Sequence, residues 1–518
     1  FAMMKTAVLL LVVGWFVVGE ALWPLPTSMQ TGPDSVCVSS SQFSITSPCA
    51  LVNDAINRYQ ESNLFFPVTG TNGIGYSVPV TVNSCIDKID YGTDESYTLT
   101  LEKSGGKITA PTTYGAIRAI ETLSQIFVYN SDGCYDITNL SLTIHDSPRF
   151  LWRGFMLDTA RHYLSLDTIK MQLDAMSYAK YNVFHWHMID AQSFPIIIEA
   201  QPALAKQGAY KYPEATYGPE DILDIVEFAN ARGIRVVAEM EVPGHAASWG
   251  KGHPEIVAHC PEYESNINNI PLNPSIQKTY EVVFAVLSQV SALVPDDWVH
   301  IGGDEVVYGC WFSDPEISAW ADENQFDGND IMKFFEDHVE QFLNILRRKR
   351  IVWEEVFLAG ALSGTIDTIV QVWENADTMQ KVVDAGYEGL QSYGWYLDKQ
   401  IPSITVPETT HYEWVDTWQD MYSVEPTDNI TGDLSLIIGG EGTMWAEQVN
   451  DETIMTRIWP RAGAVAERLW SAKDITDIDA ALPRLEDFGC RLKRRGIASS
   501  PLQPGYCDNT TFFQYNEY

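Results

Sequence analysis

Eight short apolar runs, separated by segments long enough to form helices, constrain the fold of this chain more than any other feature. The runs begin at Trp152, Asn182, Ile234, Trp298, Ile351, Thr368, Glu388 and Leu436. Short apolar runs are typical of buried strands, and strands that alternate with helices form parallel sheets. Eight such units in succession predict a (β/α)8 TIM barrel, a fold of the α/β class.

A smaller module of mixed strands and helix precedes these runs. The segment YTLTLEK, which begins at Tyr97, alternates apolar and polar residues, and Gly105 with Gly106 predicts a turn into a second strand. Apolar residues at helical spacing predict a helix from Thr113 to Val128. We therefore expect an α+β accessory domain over residues 22–148 and the barrel domain, with a C-terminal extension, over residues 149–518.

The first residues have the pattern of a secretory leader. Lys5 precedes an apolar run from Ala7 to Val18, and the small residues Gly19 and Ala21 follow it. A run of about a dozen residues is too short to span a bilayer but is typical of a signal peptide. We expect residues 1–21 to be removed and the chain to enter the secretory pathway, with the lysosome or the extracellular space as its destination.

The cysteines and glycosylation motifs agree with secretion. Eight cysteines indicate an oxidising compartment. Pairing of sequential neighbours predicts the disulfides Cys37–Cys49, Cys85–Cys134, Cys260–Cys310 and Cys490–Cys507, although eight cysteines allow many other connectivities. The motif N-x-[ST] occurs at Asn139, Asn429 and Asn509, which are therefore candidate glycosylation sites.

A strong acidic excess limits the classes of partner. Asp and Glu total 69 against 33 Lys and Arg, which gives a formal net charge of −36. Such a surface repels phosphate backbones, so we expect no nucleic-acid partner. Downstream of the leader, no uninterrupted apolar stretch reaches the roughly 20 residues of a membrane-spanning helix, so we expect no membrane span.

In a TIM barrel the active site lies at the carboxyl ends of the strands, so the polar and aromatic residues there are candidates. They are Asp158, Arg161, His185, His187, Asp190, Glu239, Glu241, His245, Asp304, Glu305, Trp353, Glu354, Glu355, Trp373, Glu374, Tyr396, Asp398, Glu441, Trp445 and Glu447. Carboxylates bind hydroxyl groups and indole faces cover sugar rings. This mixture favours a neutral, polyhydroxylated ligand such as a glycan.

The pair Asp304-Glu305 in HIGGDE is the sharpest local motif. A glycosidase needs a carboxylic acid to protonate the leaving oxygen and an anion to stabilise the oxocarbenium-like centre. Neighbours on a regular strand point to opposite faces, so they share a site only at an irregular strand end, which Gly302 and Gly303 permit. Repulsion between close carboxylates raises the pKa of one of them. The alternative interpretation of this motif is a solvated pair of carboxylates at a strand end.

Two other interpretations remain open on local evidence. His185, His187, Asp190 and His245 include an H-x-H motif that a metal-dependent barrel hydrolase could use, although the later strands supply tryptophans instead of further ligands. The second interpretation is a glycan-binding protein without catalysis, and the intact Asp304-Glu305 pair argues against it.

Arg161 is expected to pair with Asp158, either beside a sugar or as a structural ion pair.

Several longer motifs resemble one family of enzymes. They are RGFMLDTARHYL, YNVFHWHMIDAQSFP, GIRVVAEMEVPGHAASWGKG, HIGGDEV, IVWEEVF, GWYLD, IIGGEGTMWAEQV and WPRAGAVAERLW. Together they resemble the β-N-acetylhexosaminidases of glycoside hydrolase family 20, in particular the lysosomal type, from about Asn83 to Cys507. The resemblance implies an exo-acting, retaining enzyme that removes terminal GlcNAc or GalNAc, needs neither cofactor nor metal, and forms a homodimer.

The resemblance also implies a role for each matching residue. The 2-acetamido group of the substrate attacks C1 to form an oxazolinium ion, Glu305 acts as general acid and then general base, and Asp304 orients the acetamido group. Asp190 and His245 support Glu305. The expected substrate-binding residues are Arg161, Trp353, Trp373, Tyr396, Asp398, Trp445 and Glu447. Asp398 favours neutral sugars, whereas the adjacent Lys399 could admit anionic ones, and the sequence leaves this open.

Overall fold

The computed structural model describes residues 22–399 and 416–507 and the backbone of the short strand Phe513–Gln514. An eight-stranded sheet in the order β1-β8-β4-β5-β3-β2-β7-β6 comes first in the chain. Its strands are β1 Ser28–Gln30, β2 Asp34–Thr46, β3 Ile74–Ser84, β4 Tyr97–Glu102, β5 Gly105–Thr112, β6 Val128–Tyr129, β7 Tyr135–Leu140 and β8 Leu142–Asp146. Two helices, α1 Ala50–Glu61 and α2 Thr113–Ser124, belong to the same region and pack against each other.

Helix α2 is shorter than the sequence predicted. Its Thr112 N-cap hydroxyl accepts a hydrogen bond from the backbone of Gly115, as expected for a helix start. The helix ends at Ser124 instead of continuing to Val128, because Val128 and Tyr129 form strand β6 and pair with β7. Local periodicity could not reveal this pairing with a strand further along the chain.

The eight apolar runs form the expected closed parallel barrel, so the predicted fold class is confirmed. The barrel strands are β9 Trp152–Asp158, β10 Val183–Ile189, β11 Arg235–Met240, β12 Trp298–His300, β13 Lys349–Trp353, β14 Thr368–Val372, β15 Glu388–Gln391 and β16 Ile437–Met444. Each begins within two residues of its predicted start. Strand β16 pairs with β9 and closes the barrel.

Helices connect and surround the barrel strands. They are α3 Leu166–Tyr178, α4 Ala203–Gly208, α5 Pro219–Asn230, α6 Ala247–Gly252, α7 Gln277–Leu293, α8 Tyr308–Ser313, α9 Pro315–Asn324, α10 Gly328–Leu346, α11 Glu354–Leu358, α12 Ala376–Asp384, α13 Trp418–Ser423, α14 Ile454–Ile458, α15 Arg461–Trp470 and α16 Ile478–Arg494. A hairpin of β17 Tyr506–Cys507 with β18 Phe513–Gln514 follows. None of the described helices is long and apolar enough to cross a membrane.

A buried ion triad joins the first sheet region to the barrel. Glu95 accepts hydrogen bonds from Arg118 at 2.8 Å and from Arg153, on β9, at 2.7 Å. Asn182, just before β10, donates a further bond to Glu95 at 2.8 Å. Burial alone would raise the pKa of Glu95, but the charges of Arg153 and Arg118 lower it. The proposed domain division at residue 148 therefore lies across a buried polar interface.

Removing the carboxylate from this triad is expected to destabilise the protein. A Glu95→Gln variant leaves two buried guanidinium groups without their anion, which should lower the free energy of unfolding by about 3 kcal/mol at pH 7. Because the folded-state pKa is lowered, the difference from wild type should shrink as the pH falls below the unfolded-state value of about 4. Urea unfolding at pH 7 and pH 3 measures both effects, with the exposed Glu61→Gln as control. An equal loss in both variants would contradict the ion-pair explanation.

The disulfides require a correction in the first sheet. Cys260–Cys310 and Cys490–Cys507 form as predicted, whereas the predicted pairs Cys37–Cys49 and Cys85–Cys134 are wrong. The observed bonds are Cys37–Cys134 and Cys49–Cys85, with Cα–Cα distances of 5.7 and 5.4 Å. Strand β2 lies between β7 and β3, so cysteines near these strands meet neighbours in the sheet and not neighbours in the sequence.

The candidate glycosylation sites differ in their surroundings. Asn429 is exposed, whereas the amide nitrogen of Asn139 is buried and has no hydrogen-bond partner in the part of the chain that the structure describes. Glycosylation at Asn139 would therefore require its amide to turn outward. Asn509 and the predicted leader, residues 1–21, lie outside the described residues.

Candidate active site

A cavity of about 280 Å³ lies at the carboxyl ends of the barrel strands. Its lining consists of Arg161, His245, Asp304, Glu305, Trp353, Trp373, Tyr396, Asp398, Lys399, Trp445 and Glu447. Every residue that the sequence assigned to catalysis or substrate binding lies in this lining, and Asp190 lies behind it in contact with Arg161 and His245. The structure thus brings together residues that are separated by almost 300 positions in the chain.

An irregular turn after β12 presents Asp304 and Glu305. Gly302 and Gly303 have φ angles of 71° and 95°, in the left-handed region that glycine adopts without a steric penalty. Glu305 itself has a φ of 50°, which is uncommon for a residue with a side chain. The turn therefore breaks the alternation of a regular strand and lets both carboxylates face the cavity, as the sequence predicted.

The two adjacent carboxylates have different environments. The Asp304 side chain is 14% exposed and that of Glu305 is 59% exposed. Burial, together with the charges of Glu239 and Glu305, raises the pKa of Asp304. A hydrogen bond with His245 lowers the pKa of Glu305. Repulsion from Glu305 thus adds to the effect of burial, and the carboxyl group whose pKa is raised is that of Asp304 and not that of Glu305.

A chain of polar contacts runs behind Glu305. His245 Nε2 lies 3.5 Å from Glu305 Oε2 and 3.7 Å from Asp304 Oδ2. The other ring nitrogen, Nδ1, lies 3.3 Å from Asp190 Oδ1. Burial alone would lower the pKa of His245, but the charge of Asp190 and its hydrogen bonds raise it well above the usual value. A charged imidazole therefore links the buried Asp190 to the exposed Glu305.

Arg161 makes more contacts than the sequence predicted. It pairs with Asp158 as expected, at 3.4 Å, and also with Asp190 at 2.9 Å. Its Nε donates to the side-chain oxygen of Gln192, a residue for which the sequence gave no signal. The guanidinium carbon lies 4.8 Å from the ring centre of Trp445. These contacts fix the guanidinium against one wall of the cavity.

The two histidines of the H-x-H motif lie inside the barrel, and both ring nitrogens of each are hydrogen-bonded to carboxylates. His185 is hydrogen-bonded to Glu239 at 2.9 Å and to Glu441 at 2.8 Å. His187 is hydrogen-bonded to Glu239 and, at 2.8 Å, to Asp190. Burial opposes protonation, but the neighbouring carboxylates raise the pKa of His185 to about 9 and that of His187 to about 10. An imidazole that is protonated, with both ring nitrogens hydrogen-bonded to carboxylates, is a poor metal ligand.

Aromatic side chains form a further part of the cavity lining. Trp353 is buried, and its indole nitrogen donates to Glu239 at 2.8 Å. Its ring centre lies 6.1 Å from that of Trp445. Trp373 lies 6.3 Å from Tyr396 and donates to Glu355 at 3.1 Å. Indole and phenol rings held in this way are suited to cover the faces of a sugar.

Beside these aromatic side chains lie Lys399 and Glu355, two polar groups whose roles the sequence left open. The Lys399 ammonium lies 4.5 Å from the Tyr396 ring centre, at the cavity. Burial and the charge of Asp304 raise the pKa of Glu355 to about 8. A neutral Glu355 thus holds Trp373 without adding a further negative charge beside Asp304.

The closed barrel and this cavity of carboxylates and indoles define a carbohydrate-active barrel enzyme. A sequence-family model described as "Glycosyl hydrolase family 20, catalytic domain" matches residues 150–473, and one described as "beta-acetyl hexosaminidase like" matches residues 22–126. The chain belongs to glycosyl hydrolase family 20 and is a glycoside hydrolase of the β-hexosaminidase type.

Curated relatives and solved structures agree with this assignment. Beta-hexosaminidase subunit A1 of Dictyostelium discoideum is 40% identical over 93% of this chain and 90% of its own length. Beta-hexosaminidase subunit beta of Homo sapiens is 35% identical over 95% of this chain and 90% of its own length. The Flavobacterium johnsoniae chitobiase structure superposes with a TM-score of 0.79 at 28% identity, covering 93% of this chain and 74% of that one.

Proposed function

We propose that this chain is an exo-acting, retaining β-N-acetylhexosaminidase that removes terminal non-reducing GlcNAc or GalNAc from glycoconjugates or chito-oligosaccharides by substrate-assisted catalysis. The observation that carries the proposal is the placement of Asp304 and Glu305 on one flank of the cavity. Oxygens of both carboxylates and a nitrogen of His245 all lie within 4.8 Å of one another. A nucleophile and an acid that act on one glycosidic bond instead face each other across it.

The chemistry follows from this one-sided arrangement. Glu305 gives its proton to the glycosidic oxygen while the carbonyl oxygen of the 2-acetamido group attacks C1, so that the bond to the leaving group breaks and an oxazolinium ion forms. The Glu305 carboxylate then removes a proton from water. The water oxygen attacks C1 and breaks the bond between C1 and the acetamido oxygen, which opens the oxazolinium ring. Because each of the two displacements inverts C1, the product retains the anomeric configuration of the substrate. The Asp304 carboxylate, beside the acetamido nitrogen, stabilises its positive charge.

The remaining lining residues are assigned to holding the terminal sugar. Arg161 and Glu447 bind its hydroxyl groups, Tyr396 donates a hydrogen bond to the acetamido carbonyl, and Asp398 binds a hydroxyl further out. Trp353, Trp373 and Trp445 enclose the acetamido methyl group and the ring. The cavity volume of about 280 Å³ is of the order of a single sugar unit, which supports exo action.

The charge on His245 is expected to set the alkaline limb of the pH profile. Its hydrogen bond and charge stabilise the Glu305 carboxylate, so a His245→Asn variant should raise the pKa of Glu305 and keep the general acid protonated at higher pH. The alkaline limb of kcat/KM on an aryl N-acetylglucosaminide should move upward although the maximal rate falls. His338→Asn, in helix α10, is the matched control. A lower rate with an unmoved limb would contradict the role of the charge.

We also assign the chain to the secretory pathway, with the lysosome or extracellular space as its destination, and expect a homodimer. Four disulfides support an oxidising compartment. The curated relatives are named as subunits, which supports association. Fractionation of expressing cells and their medium tests the destination, and a reduced protein that stays in the cytosol would contradict it. Sedimentation of the purified protein tests association, and a monomer would contradict the homodimer.

A further inference from the structure

The buried carboxyl group of Glu241 packs against the back of the catalytic turn. Glu241 follows strand β11 directly and is 1% exposed. Its Oε1 accepts a hydrogen bond from the backbone of Gly303 at 2.9 Å. A Cβ atom on Gly302 would overlap this carboxyl group, so the turn and the Glu241 side chain lie in direct contact.

The turn is held by a second acceptor as well. Gly302 N donates to His300 Nδ1 at 3.0 Å, so this ring nitrogen carries no proton. Burial lowers the pKa of His300 to about 3, which agrees with a neutral ring. Glu241 and His300 thus fix consecutive peptide groups just before Asp304. These two bonds account for the position of the turn. They leave the second oxygen of Glu241, Oε2, without a donor among the described residues.

A second carboxyl group, that of Asp304, lies close to Glu241. Glu241 Oε2 and Asp304 Oδ1 are both buried, and neither has a donor from another residue within the described ranges 22–399 and 416–507. Each is left with the other carboxyl group as a partner, and a hydrogen bond from the Glu241 side chain lowers the pKa of Asp304. A hydrogen bond between two carboxyl groups requires that one of them carry a proton. Gly303 already donates to Oε1, so we assign the contact with Asp304 to Oε2.

The charges around Glu241 decide where the proton is. The groups around it are Glu239, Asp190, Asp304 and His187. His300 holds the same turn, and Glu355 and His245 interact with Asp304. His187 pairs with Glu239 and Asp190, and His245 pairs with Asp190 and Glu305. Among the described residues, no ion pair joins a cation to Glu241. Burial and the charge of Asp304 raise the pKa of Glu241 well above the usual value.

We propose that Glu241 is a neutral positioning residue that donates a hydrogen bond from its carboxyl group to Asp304 Oδ1. This bond fixes the Asp304 carboxylate with Oδ2 toward the cavity and keeps it ionised without placing a second anion behind it. The inference rests on the proposed function, because Asp304 is the group that would stabilise the oxazolinium ion.

Two variants of Glu241 separate donation from packing. In Glu241→Gln, the amide oxygen accepts from Gly303 and the amide NH2 donates to Asp304, so we expect kcat within about threefold of wild type. In Glu241→Met both bonds are lost at similar volume, and we expect kcat to fall by about 100-fold with a smaller change in KM. The acidic limb of the pH profile should rise by about one pH unit in the Met variant only, because Asp304 loses the donor that lowers its pKa.

The outcomes distinguish this inference from the proposed function. If Glu241→Gln loses as much activity as Glu241→Met, or if the acidic limb of Glu241→Met does not move, Glu241 is not a neutral donor. The Gln result alone decides this if Glu241→Met fails to fold. Asp304→Ala, measured in parallel on an N-acetyl substrate, tests the proposed function: wild-type-like activity there would overturn it whatever Glu241 does.

Discussion

Replacing Glu305 by glutamine is expected to reduce turnover of N-acetylglucosaminides by about 10³-fold while leaving binding of the terminal sugar largely intact. An amide has nearly the same shape as the carboxyl group but neither gives a proton to the glycosidic oxygen nor removes one from water. Both half-reactions lose their acid–base group. Steady-state kinetics with an aryl GlcNAc substrate, together with a binding measurement for a non-hydrolysed analogue, separate the two effects.

The loss should depend on the leaving group. Leaving groups that are good without protonation need less help in the first half-reaction, so the deficit of Glu305→Gln should be smaller for them than for an alkyl or sugar leaving group. Glu323→Gln, an exposed position on helix α9, is the matched control and should behave as wild type. Wild-type-like turnover by Glu305→Gln would exclude Glu305 as the acid–base residue.

Replacing Asp304 by asparagine is expected to lower kcat/KM on N-acetyl substrates by about 10²-fold, which corresponds to about 3 kcal/mol of transition-state stabilisation. The variant keeps the size of the side chain but removes the negative charge beside the developing oxazolinium ion. Kinetics on a GlcNAc substrate and on an analogue without the acetamido group measure the effect. Wild type should cleave that analogue very slowly, and Asp304→Asn should add little to the loss.

The analogue distinguishes substrate assistance from a simple contact. If wild type cleaved it as fast as the N-acetyl substrate, the acetamido group would not be the nucleophile. If Asp304→Asn lost equally on both substrates, Asp304 would act as a general pocket residue. A carboxylate that attacks C1 itself would lead to the first of these outcomes.

The barrel and most of the cavity could be predicted because their signals are local. Buried strands such as β9 and β13 are apolar runs, and the TIM-barrel rule places residues that follow each strand at one face. Trp353 and Tyr396 could therefore be assigned to one site, although Trp353 ends β13 and Tyr396 follows β15. The same reasoning could not give a role to Gln192, because it lies in the loop after β10 and its contact with Arg161 depends on how that loop folds.

Other features depend on neighbours that no local pattern encodes. The pairing of Cys37 with Cys134 follows from the order of strands in the first sheet. Repulsion between Asp304 and Glu305 could be expected, but its outcome depends on burial and on His245. The charge of His245 lowers the pKa of both carboxyl groups, and burial outweighs it only at Asp304. Glu241 could be placed at a strand end, whereas its contact with the glycine turn required the folded chain.

The most direct test of substrate-assisted catalysis is a crystal structure of this chain with a thiazoline-type inhibitor, a stable mimic of the oxazolinium ion. The expected result is a ring nitrogen about 2.9 Å from a carboxylate oxygen of Asp304. Glu305 should lie on the side of C1 from which water attacks. A ring nitrogen bound to any other group, or a carboxylate opposite Glu305 and in contact with C1, would contradict the proposed mechanism.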